Sequence, residues 1–191
     1  MQRPLGAVLA GGRGSRLGGA KATVSVAGRP LIEWPLDALR AALGEVVVVC
    51  KRDSELPSLA GVEVVREPDQ PTHPLAGIRT ALAHAGDRPV LVCAVDLALL
   101  TAPTVRALAE ADAGGAPAVI ARAAGRVQPL LGRYEPAALH GLRSAPPDAA
   151  LTAAVLALDP AVVDVEAGAL LNVNTPADLV AAERAIAQRA Q

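Results

Sequence analysis

Short apolar runs alternate along the chain with longer stretches in which apolar residues recur at helical spacing. The short runs are rich in β-branched residues and predict strands, whereas the longer stretches predict helices. We predict strands at Leu5–Ala10, Glu45–Cys50, Val62–Arg66, Pro89–Val95, Pro117–Ala121, Val127–Gly132 and Ala161–Val165. We predict helices at Leu31–Leu43, Pro74–Ala85, Thr101–Ala111 and Thr175–Ala190. This alternation is typical of an α/β fold, and we predict one domain over residues 1–191 with helices on both faces of a mostly parallel central sheet.

Two of the predicted helices carry informative starts. Pro35 falls inside the first helix, so it either kinks that helix or marks its true beginning. At the last helix Thr175 can act as the N-cap, Pro176 suits the first helical position, and Asp178 completes a Thr-x-x-Asp capping box. The last helix is therefore the best defined of the four.

The overall composition excludes several classes of protein. Hydrophobic residues make up 52% of the chain and charged residues 19%, which allows a core and argues against disorder. The net charge of -1 argues against binding to nucleic acid or to an anionic membrane. The apolar runs are too short to cross a bilayer, and Leu5–Ala10 lacks the length of a secretory signal. Cys50 and Cys93 lie in apolar segments without metal-like spacing, so we expect buried thiols and a cytoplasmic protein.

A strong compositional bias makes the scarce residue types informative. The chain contains 42 alanines, and its 16 arginines compare with only 2 lysines and 2 asparagines. This pattern is typical of GC-rich coding. A lysine or asparagine that persists against such a background is more readily explained by its chemistry, so Lys21, Asn172 and Asn174 become candidates.

A glycine-rich loop follows the first predicted strand. It reads Leu9-Ala10-Gly11-Gly12-Arg13-Gly14-Ser15-Arg16-Leu17-Gly18-Gly19-Ala20-Lys21. In an open parallel sheet, ligands bind beyond the carboxyl ends of the strands, and glycines let backbone N–H groups approach them closely. Arg16 and Lys21 add the positive charge that suits a polyphosphate. The spacing excludes a Walker A loop, because Lys21 follows an alanine, and a dinucleotide fingerprint, because Leu17 occupies the place of the third glycine.

Several motifs together resemble the nucleotidyltransferase superfamily with a GT-A-like fold, and within it the molybdenum cofactor guanylyltransferases. The loop resembles the family signature Leu-Ala-Gly-Gly-x-x-x-Arg-[Met/Leu]-Gly-…-Lys. Further matches, in the family's order, are Gly28-Arg29-Pro30-Leu31, Pro74-Leu75-Ala76-Gly77, Asp96 after a buried strand, and Asn172-Val173-Asn174-Thr175-Pro176. The loop and the asparagine motif are the specific ones. The resemblance implies a Rossmann-like three-layer sandwich, with a nucleotide-binding part in about residues 1–100 and an acceptor-binding part in about residues 101–191.

The resemblance also implies an activity and its residues. The family transfers GMP from GTP to a molybdopterin-type cofactor and releases pyrophosphate. The catalytic residues would be Arg16, Lys21 and Asp96, with Asp96 holding Mg2+. The nucleotide would contact Leu9, Ala10, Gly11, Gly12, Gly14, Ser15, Arg16, Lys21, Glu67, Asp69, Leu75, Gly77 and Asp96. A hard cation such as Mg2+ prefers the oxygen ligands that a carboxylate and phosphates supply.

The chain departs from the family pattern at two places. The family has Cys-Asp-x-Pro where this chain reads Val95-Asp96-Leu97-Ala98, which loosens the assignment to the subfamily. The family also has an asparagine at the end of the second strand, and here Lys51 follows Cys50, so that contact is either lost or taken over by Lys51. The family has an acidic residue near the guanosine, and the sequence leaves open whether Glu67 or Asp69 takes that place. A solvated turn, in which neither residue contacts the nucleotide, is an equal alternative.

The two asparagines stand two residues apart before the last helix. Asparagine is common in turns and caps, but Thr175 already supplies the cap. In an extended segment the side chains of Asn172 and Asn174 face the same way, so both amides can enter one cleft. The resemblance implies that they contact the pterin, whose groups match the donors and acceptors of an amide.

Other residue types argue against other chemistries. The three histidines have no metal-ligand spacing, although His73, just before Pro74-Leu75-Ala76-Gly77, is a candidate for the nucleotide pocket.

The expected partners are GTP and a pterin-type cofactor, without nucleic acid or membrane, and transient contact with proteins that deliver or receive the cofactor is compatible with this role. Three alternatives stay open: a cytidylyltransferase of the same family, although those relatives resemble Leu-Ala-Ala-Gly at the loop; an enzyme that activates a sugar or alcohol phosphate with a nucleotide; and a non-catalytic nucleotide-binding module.

Overall fold

The computed structural model describes residues 2–11, 20–70, 73–146 and 149–189. The strands are β1 Leu5–Leu9, β2 Ser25–Val26, β3 Arg29–Pro30, β4 Val46–Cys50, β5 Glu63–Arg66, β6 Val90–Ala94, β7 Ala118–Ala123, β8 Arg126–Tyr134 and β9 Ala161–Asp164. The helices are α1 Glu33–Leu43, α2 Pro74–Ala85, α3 Ala102–Glu110, α4 Ala138–Ser144, α5 Leu151–Leu156 and α6 Pro176–Arg189. Short 3-10 helices span Lys21–Thr23 and Ala167–Leu170.

In the described part of the chain, seven strands form one sheet in the order β5-β4-β1-β6-β8-β7-β9. The pairs β5–β4, β4–β1 and β1–β6 are parallel, and β9 is parallel to β7. Strand β8 runs antiparallel between β6 and β7. The predicted α/β sandwich with a mostly parallel central sheet is confirmed.

Each central strand is buried on both faces, which explains its continuous apolar sequence. In β4, Val46, Val48 and Cys50 pack into the layer that holds α1 and α3, whereas Val47 and Val49 pack into the layer that holds α2, α4 and α5. The period of two along a strand sends alternate valines to opposite faces. Cys50 and Cys93 are both buried and free, as predicted.

Three local features differ from the predicted elements. Helix α1 begins at Glu33, so Pro35 lies in its first turn, where a missing N–H breaks no helical hydrogen bond. The unpredicted β2–β3 hairpin turns at Ala27 and Gly28, both with positive φ (50° and 77°), and alanine gives no sequence signal for that conformation. Helices α4 and α5 were also not predicted, because 7 and 6 residues are too few for a clear apolar period.

A small third cluster fixes the C-terminal region near the carboxyl ends of the central strands. Val26 of the hairpin, Leu31, Val173 and Ala182 of α6 are buried together, with Trp34 packed against them. The backbone N–H of Ala27 also donates to Oε1 of Glu183 in α6, at 3.0 Å. These contacts hold the segment before α6 close to Asp96, which lies two residues after β6. None of the described helices has the length and apolar character needed to cross a membrane.

Candidate functional site

A cavity of about 530 Å3 lies where β1, β4 and β6 end. Parallel strands deliver their next residues to one edge of the sheet, so Gly11, Lys51 and Asp96 come together there although they are distant in sequence. The predicted site residues that line the cavity are Leu9, Gly11, Lys21, Glu67, Gly77 and Asp96. His73, also expected at the pocket, lines it too.

Lys21, at the end of the glycine-rich loop, connects Asp96 after β6 with Asn174 before α6. Its Nζ donates to Oδ2 of Asp96 at 2.6 Å and to Oδ1 of Asn174 at 2.5 Å. The side chains of Lys21 and Asp96 are each 14% exposed, so this ion pair is largely shielded from water. The three polar residues singled out from separate motifs therefore form one hydrogen-bonded group.

The backbone of the segment before α6 holds this group in place. The N–H of Val173 donates to the carbonyl of Asp96 at 3.0 Å. Oδ2 of Asp178 accepts from the N–H groups of Asn174 and Thr175 at 3.0 and 2.8 Å, and Oγ1 of Thr175 accepts from the N–H of Asp178 at 3.2 Å. The predicted capping box is confirmed. The hydrogen bond from the Thr175 hydroxyl, followed by the backbone N–H of Asn174, lowers the pKa of Asp178.

Glu67 is the acidic residue that faces the cavity. It follows β5 and is only 8% exposed, and burial raises the pKa of its carboxyl, an effect that Lys51 opposes. Nζ of Lys51 lies 3.7 Å from Oε1 of Glu67 and donates to the carbonyls of Pro68 and Asp69 at 2.9 and 3.1 Å. The side chain of Asp69 itself is exposed. The geometry thus separates the two acidic residues between which the sequence did not choose.

Two glycines make room for the Glu67 carboxylate. A Cβ on Gly11 would overlap with Oε1 of Glu67 and would lie 3.4 Å from its Cδ. A Cβ on Gly77 would lie 3.3 Å from the methyl groups of Leu9 and 3.4 Å from Oε2 of Glu67. A side chain at position 11 would therefore make the Glu67 carboxylate move, and one at position 77 would make its neighbours give way slightly, although neither glycine has a left-handed φ.

Other predicted site residues lie elsewhere or outside the described ranges. Ala10 is buried, and its N–H donates to the carbonyl of Val49 at 2.8 Å, while Leu75 is buried in the layer of α2. Asn172 is half-buried, and its predicted contact with a pterin stays a prediction. The residues outside the described ranges are Gly12, Gly14, Ser15 and Arg16.

Lys51 is the residue whose importance the motifs understated. It was noted only as the occupant of a lost asparagine position, yet it lines the cavity and reaches the segment after β5. The signal was available in the composition, because both lysines of the chain line this one cavity. His73 has a structural task as well: its Nδ1 accepts from the N–H of Leu75 at 3.2 Å and caps α2.

The oxygen ligands that the cavity offers suit a cation that is also bound by a phosphate. Among the described residues no three His, Cys, Asp or Glu side chains cluster as a metal cage. Oδ1 of Asp96 is buried and has no hydrogen-bond partner in the described part of the chain. Mg2+ is held by one or two carboxylates together with phosphate oxygens and water, so one carboxylate with a free buried oxygen fits it.

Residues 6–163 match the family model of the MobA-like NTP transferase domain. The molybdenum cofactor guanylyltransferase of Cereibacter sphaeroides is 32% identical over 194 residues, which cover 95% of this chain and 96% of that protein. The crystal structure of molybdopterin-guanine dinucleotide biosynthesis protein A from Archaeoglobus fulgidus is 28% identical, with a TM-score of 0.73 over 96% of this chain and 99% of that one. That of 2-C-methyl-D-erythritol 4-phosphate cytidylyltransferase from Thermus thermophilus is 26% identical, with a TM-score of 0.71 over 98% and 100%.

Proposed function

The chain belongs to the family of MobA-like NTP transferase domains, and on that premise we propose that it transfers GMP from GTP to the terminal phosphate of molybdopterin, with release of pyrophosphate. The cavity at the strand ends would hold the nucleotide. The segment around Asn172 and Asn174 would receive the pterin.

The position of Glu67 against Gly11 carries the assignment to guanine. Guanine presents an N1–H and an exocyclic amine side by side, and a carboxylate accepts from both. An alanine at position 11, typical of the related cytidylyltransferases, would push the carboxylate out of this place because its Cβ would overlap with Oε1. Gly11 and Glu67 therefore support a guanine site as a pair.

We assign the triphosphate to the glycine-rich loop, with Arg16 and Lys21 as its cations. Lys21 lies at the end of this loop and already bonds Asp96, so it can bridge between the phosphates and the metal-binding carboxylate. We assign Mg2+ to Asp96, whose free Oδ1 would coordinate it. When bound, Mg2+ would offset the negative charge that develops on the phosphates.

The reaction needs orientation more than proton transfer. A terminal phosphate oxygen of molybdopterin attacks the α-phosphorus of GTP, a new P–O bond forms, and the bond to the β-phosphate oxygen breaks in line with it. The electron pair leaves with pyrophosphate. Because the attacking phosphate is already ionised near pH 7, no general base is required.

We assign the pterin to Asn172 and Asn174. Asn174 is fixed by Asp178 on its backbone and by Lys21 on its side chain, so its amide is oriented before the acceptor arrives. The fixed position supports a role in aligning the acceptor with the α-phosphate. A cytoplasmic location and transient contacts with proteins that deliver or receive the cofactor remain predictions.

A nucleotide panel tests the proposal. The melting temperature of the purified protein is measured with Mg2+ and GTP, CTP, ATP or UTP, and we expect stabilisation by GTP above the others. A response to CTP alone would overturn the guanine assignment and favour the cytidylyltransferase alternative. A protein that none of the four nucleotides stabilises would contradict the proposed function.

Replacement of Asp96 tests the metal site. Asp96→Ala should abolish pyrophosphate release while the protein stays folded. Asp87→Ala, which removes an exposed carboxylate that has no hydrogen bond or ion pair in the described part of the chain, is the matched control and should retain activity. Turnover retained by Asp96→Ala would remove Asp96 from the metal role.

A further inference from the structure

The ammonium group of Lys21 compensates the charge of the carboxylate to which the cation is assigned. We propose that Lys21 makes cation binding at Asp96 conditional on the nucleotide, because it keeps the affinity for free Mg2+ low until a triphosphate adds negative charge beside it. The inference rests on the proposed function, since it requires that Asp96 holds the cation and that this cavity receives GTP. It goes beyond that function by fixing the order in which the site is filled.

The contact between Lys21 and Asp96 is close and shielded. Nζ of Lys21 lies 2.6 Å from Oδ2 of Asp96, and each side chain is 14% exposed. Opposite charges at such a separation compensate each other, so the pair leaves little net charge to attract a further cation. Oδ1 of Asp96 is open to a metal, but it belongs to the same compensated carboxylate. A dication at this oxygen would also lie near the ammonium, which would repel it.

The other charged side chains of the cavity are balanced as well. Nζ of Lys51 lies 3.7 Å from Oε1 of Glu67. With His73 neutral, the charged side chains described around the cavity are therefore two lysines and two carboxylates, which sum to zero. Asp178, a further carboxylate whose charge interacts with Lys21, accepts from two N–H groups and one hydroxyl at the start of α6. The N-terminus of that helix offsets its charge, so a free dication meets no excess of negative charge among these groups.

A triphosphate changes this balance at Lys21. A lysine ammonium has three N–H donors, and two of them bond Oδ2 of Asp96 and Oδ1 of Asn174 at 2.6 and 2.5 Å. Within the described ranges the third bonds no acceptor, so it can donate to a phosphate oxygen while the other two bonds persist. The phosphates would then offset the ammonium and supply the oxygen ligands that Mg2+ takes together with one carboxylate. The same lysine thus disfavours the cation alone and favours the cation with its nucleotide.

The test measures cation binding to the protein without nucleotide. Mn2+ is the probe, because the electron paramagnetic resonance signal of free Mn2+ falls as the ion binds. The wild type is compared at pH 8 with Lys21→Met and with Lys21→Gln, which loses the charge but keeps N–H donors for Asp96. Both variants should bind Mn2+ about 10-fold or more tightly than the wild type, and Mn2+ should raise their melting temperatures but not that of the wild type. Lys21→Arg, which keeps the charge, should stay within about threefold of the wild type.

Two controls locate the effect at Asp96. The double variant Lys21→Met/Asp96→Asn should lose the gain in Mn2+ affinity, because the carboxylate is gone. Arg52→Gln removes an exposed cation outside the cavity and should leave the Mn2+ constant unchanged. Equal Mn2+ affinities in the wild type and in both uncharged Lys21 variants would overturn the inference. A gain that persists in the double variant would also overturn it, because the ion would then bind elsewhere.

GTP binding separates this inference from the proposed function. Calorimetry in EDTA should show weaker binding of metal-free GTP to Lys21→Met than to the wild type, because a cation that faces the phosphates is lost. The variant should therefore gain affinity for Mn2+ and lose affinity for GTP, and a loss of affinity for both would overturn the inference. A wild type that binds GTP neither with nor without Mg2+ would instead overturn the proposed function itself.

Discussion

Replacing Gly11 by alanine is the most informative single change in the guanine site. The added Cβ would overlap with Oε1 of Glu67 and would also lie 3.7 Å from Cγ of Lys51. The backbone at Gly11 lies outside the left-handed region, so alanine brings no conformational strain there. The substitution therefore acts through the carboxylate of Glu67, which must turn away from the position that faces the base.

The expected loss of GTP affinity is larger than the loss of stability. Hydrogen bonds to a charged group contribute about 1.5–3 kcal/mol each, so losing even one weakens GTP about 10- to 100-fold. Overpacking costs about 1–3 kcal/mol, and the low end applies because Cβ meets the free end of a side chain rather than backbone. We therefore expect Gly11→Ala to stay folded and to lose most of its preference for GTP.

The assay pairs calorimetry for GTP and CTP with urea unfolding. Gly168→Ala is the control, because a Cβ there meets no atom within 4 Å and the backbone is not left-handed. In the double variant Gly11→Ala/Glu67→Asp the shorter side chain draws the carboxylate back, so the stability loss should be smaller than the sum of the two single losses. Unchanged GTP affinity in Gly11→Ala, or strictly additive losses in the double variant, would refute the steric argument.

Four further measurements test neighbouring features. GTP affinity should fall as the pH is lowered, because GTP needs Glu67 in its ionised form. Burial raises the pKa of Glu67, so the midpoint of this loss should lie above the ordinary carboxyl range. Calorimetry from pH 4 to 8 measures it. Without nucleotide, the carboxyl of Glu67 binds a proton more tightly in the folded state than in the unfolded chain. Glu67 therefore disfavours folding as the pH rises through its folded pKa. Glu67→Gln should remove this pH dependence from the urea midpoints. Thr175→Ala should cost about 1 kcal/mol of unfolding free energy through loss of the α6 cap, a result that an unchanged urea midpoint would contradict. Asn174→Ala should raise KM for molybdopterin more than for GTP in steady-state kinetics, and the reverse order would contradict its place on the acceptor side.

Local sequence patterns predicted most of the fold. The valine run of β4, the buried strand before Asp96 and the capping box of Thr175 each depend on neighbours within a few residues, and all three appear in the structure. The antiparallel direction of β8 depends on pairing with β6 and β7, distant in sequence, and no local period encodes it. The hairpin at Ala27 and Gly28 was missed because alanine gives no sign of a positive φ.

The candidate site was likewise predictable in part from the sequence, and the rest depends on contacts between distant segments. The scarcity of lysine and asparagine marked Lys21 and Asn174, and the structure joins them with Asp96. The choice between Glu67 and Asp69 needed three dimensions, because it depends on how the segment after β5 lies against Cys50, with Glu67 buried and Asp69 exposed. The same holds for Lys51, whose reach across to Pro68 and Asp69 depends on the pairing of β4 with β5.

Transfer to the acceptor tests the central proposal most directly. Purified protein is incubated with molybdopterin, Mg2+ and GTP labelled in the α-phosphate, and both pyrophosphate and labelled pterin product are measured. We predict that one pyrophosphate and one GMP-bearing pterin form for each GTP consumed, and that CTP supports neither. Transfer from CTP in preference to GTP, or GTP consumption without label on the pterin, would contradict the proposed function.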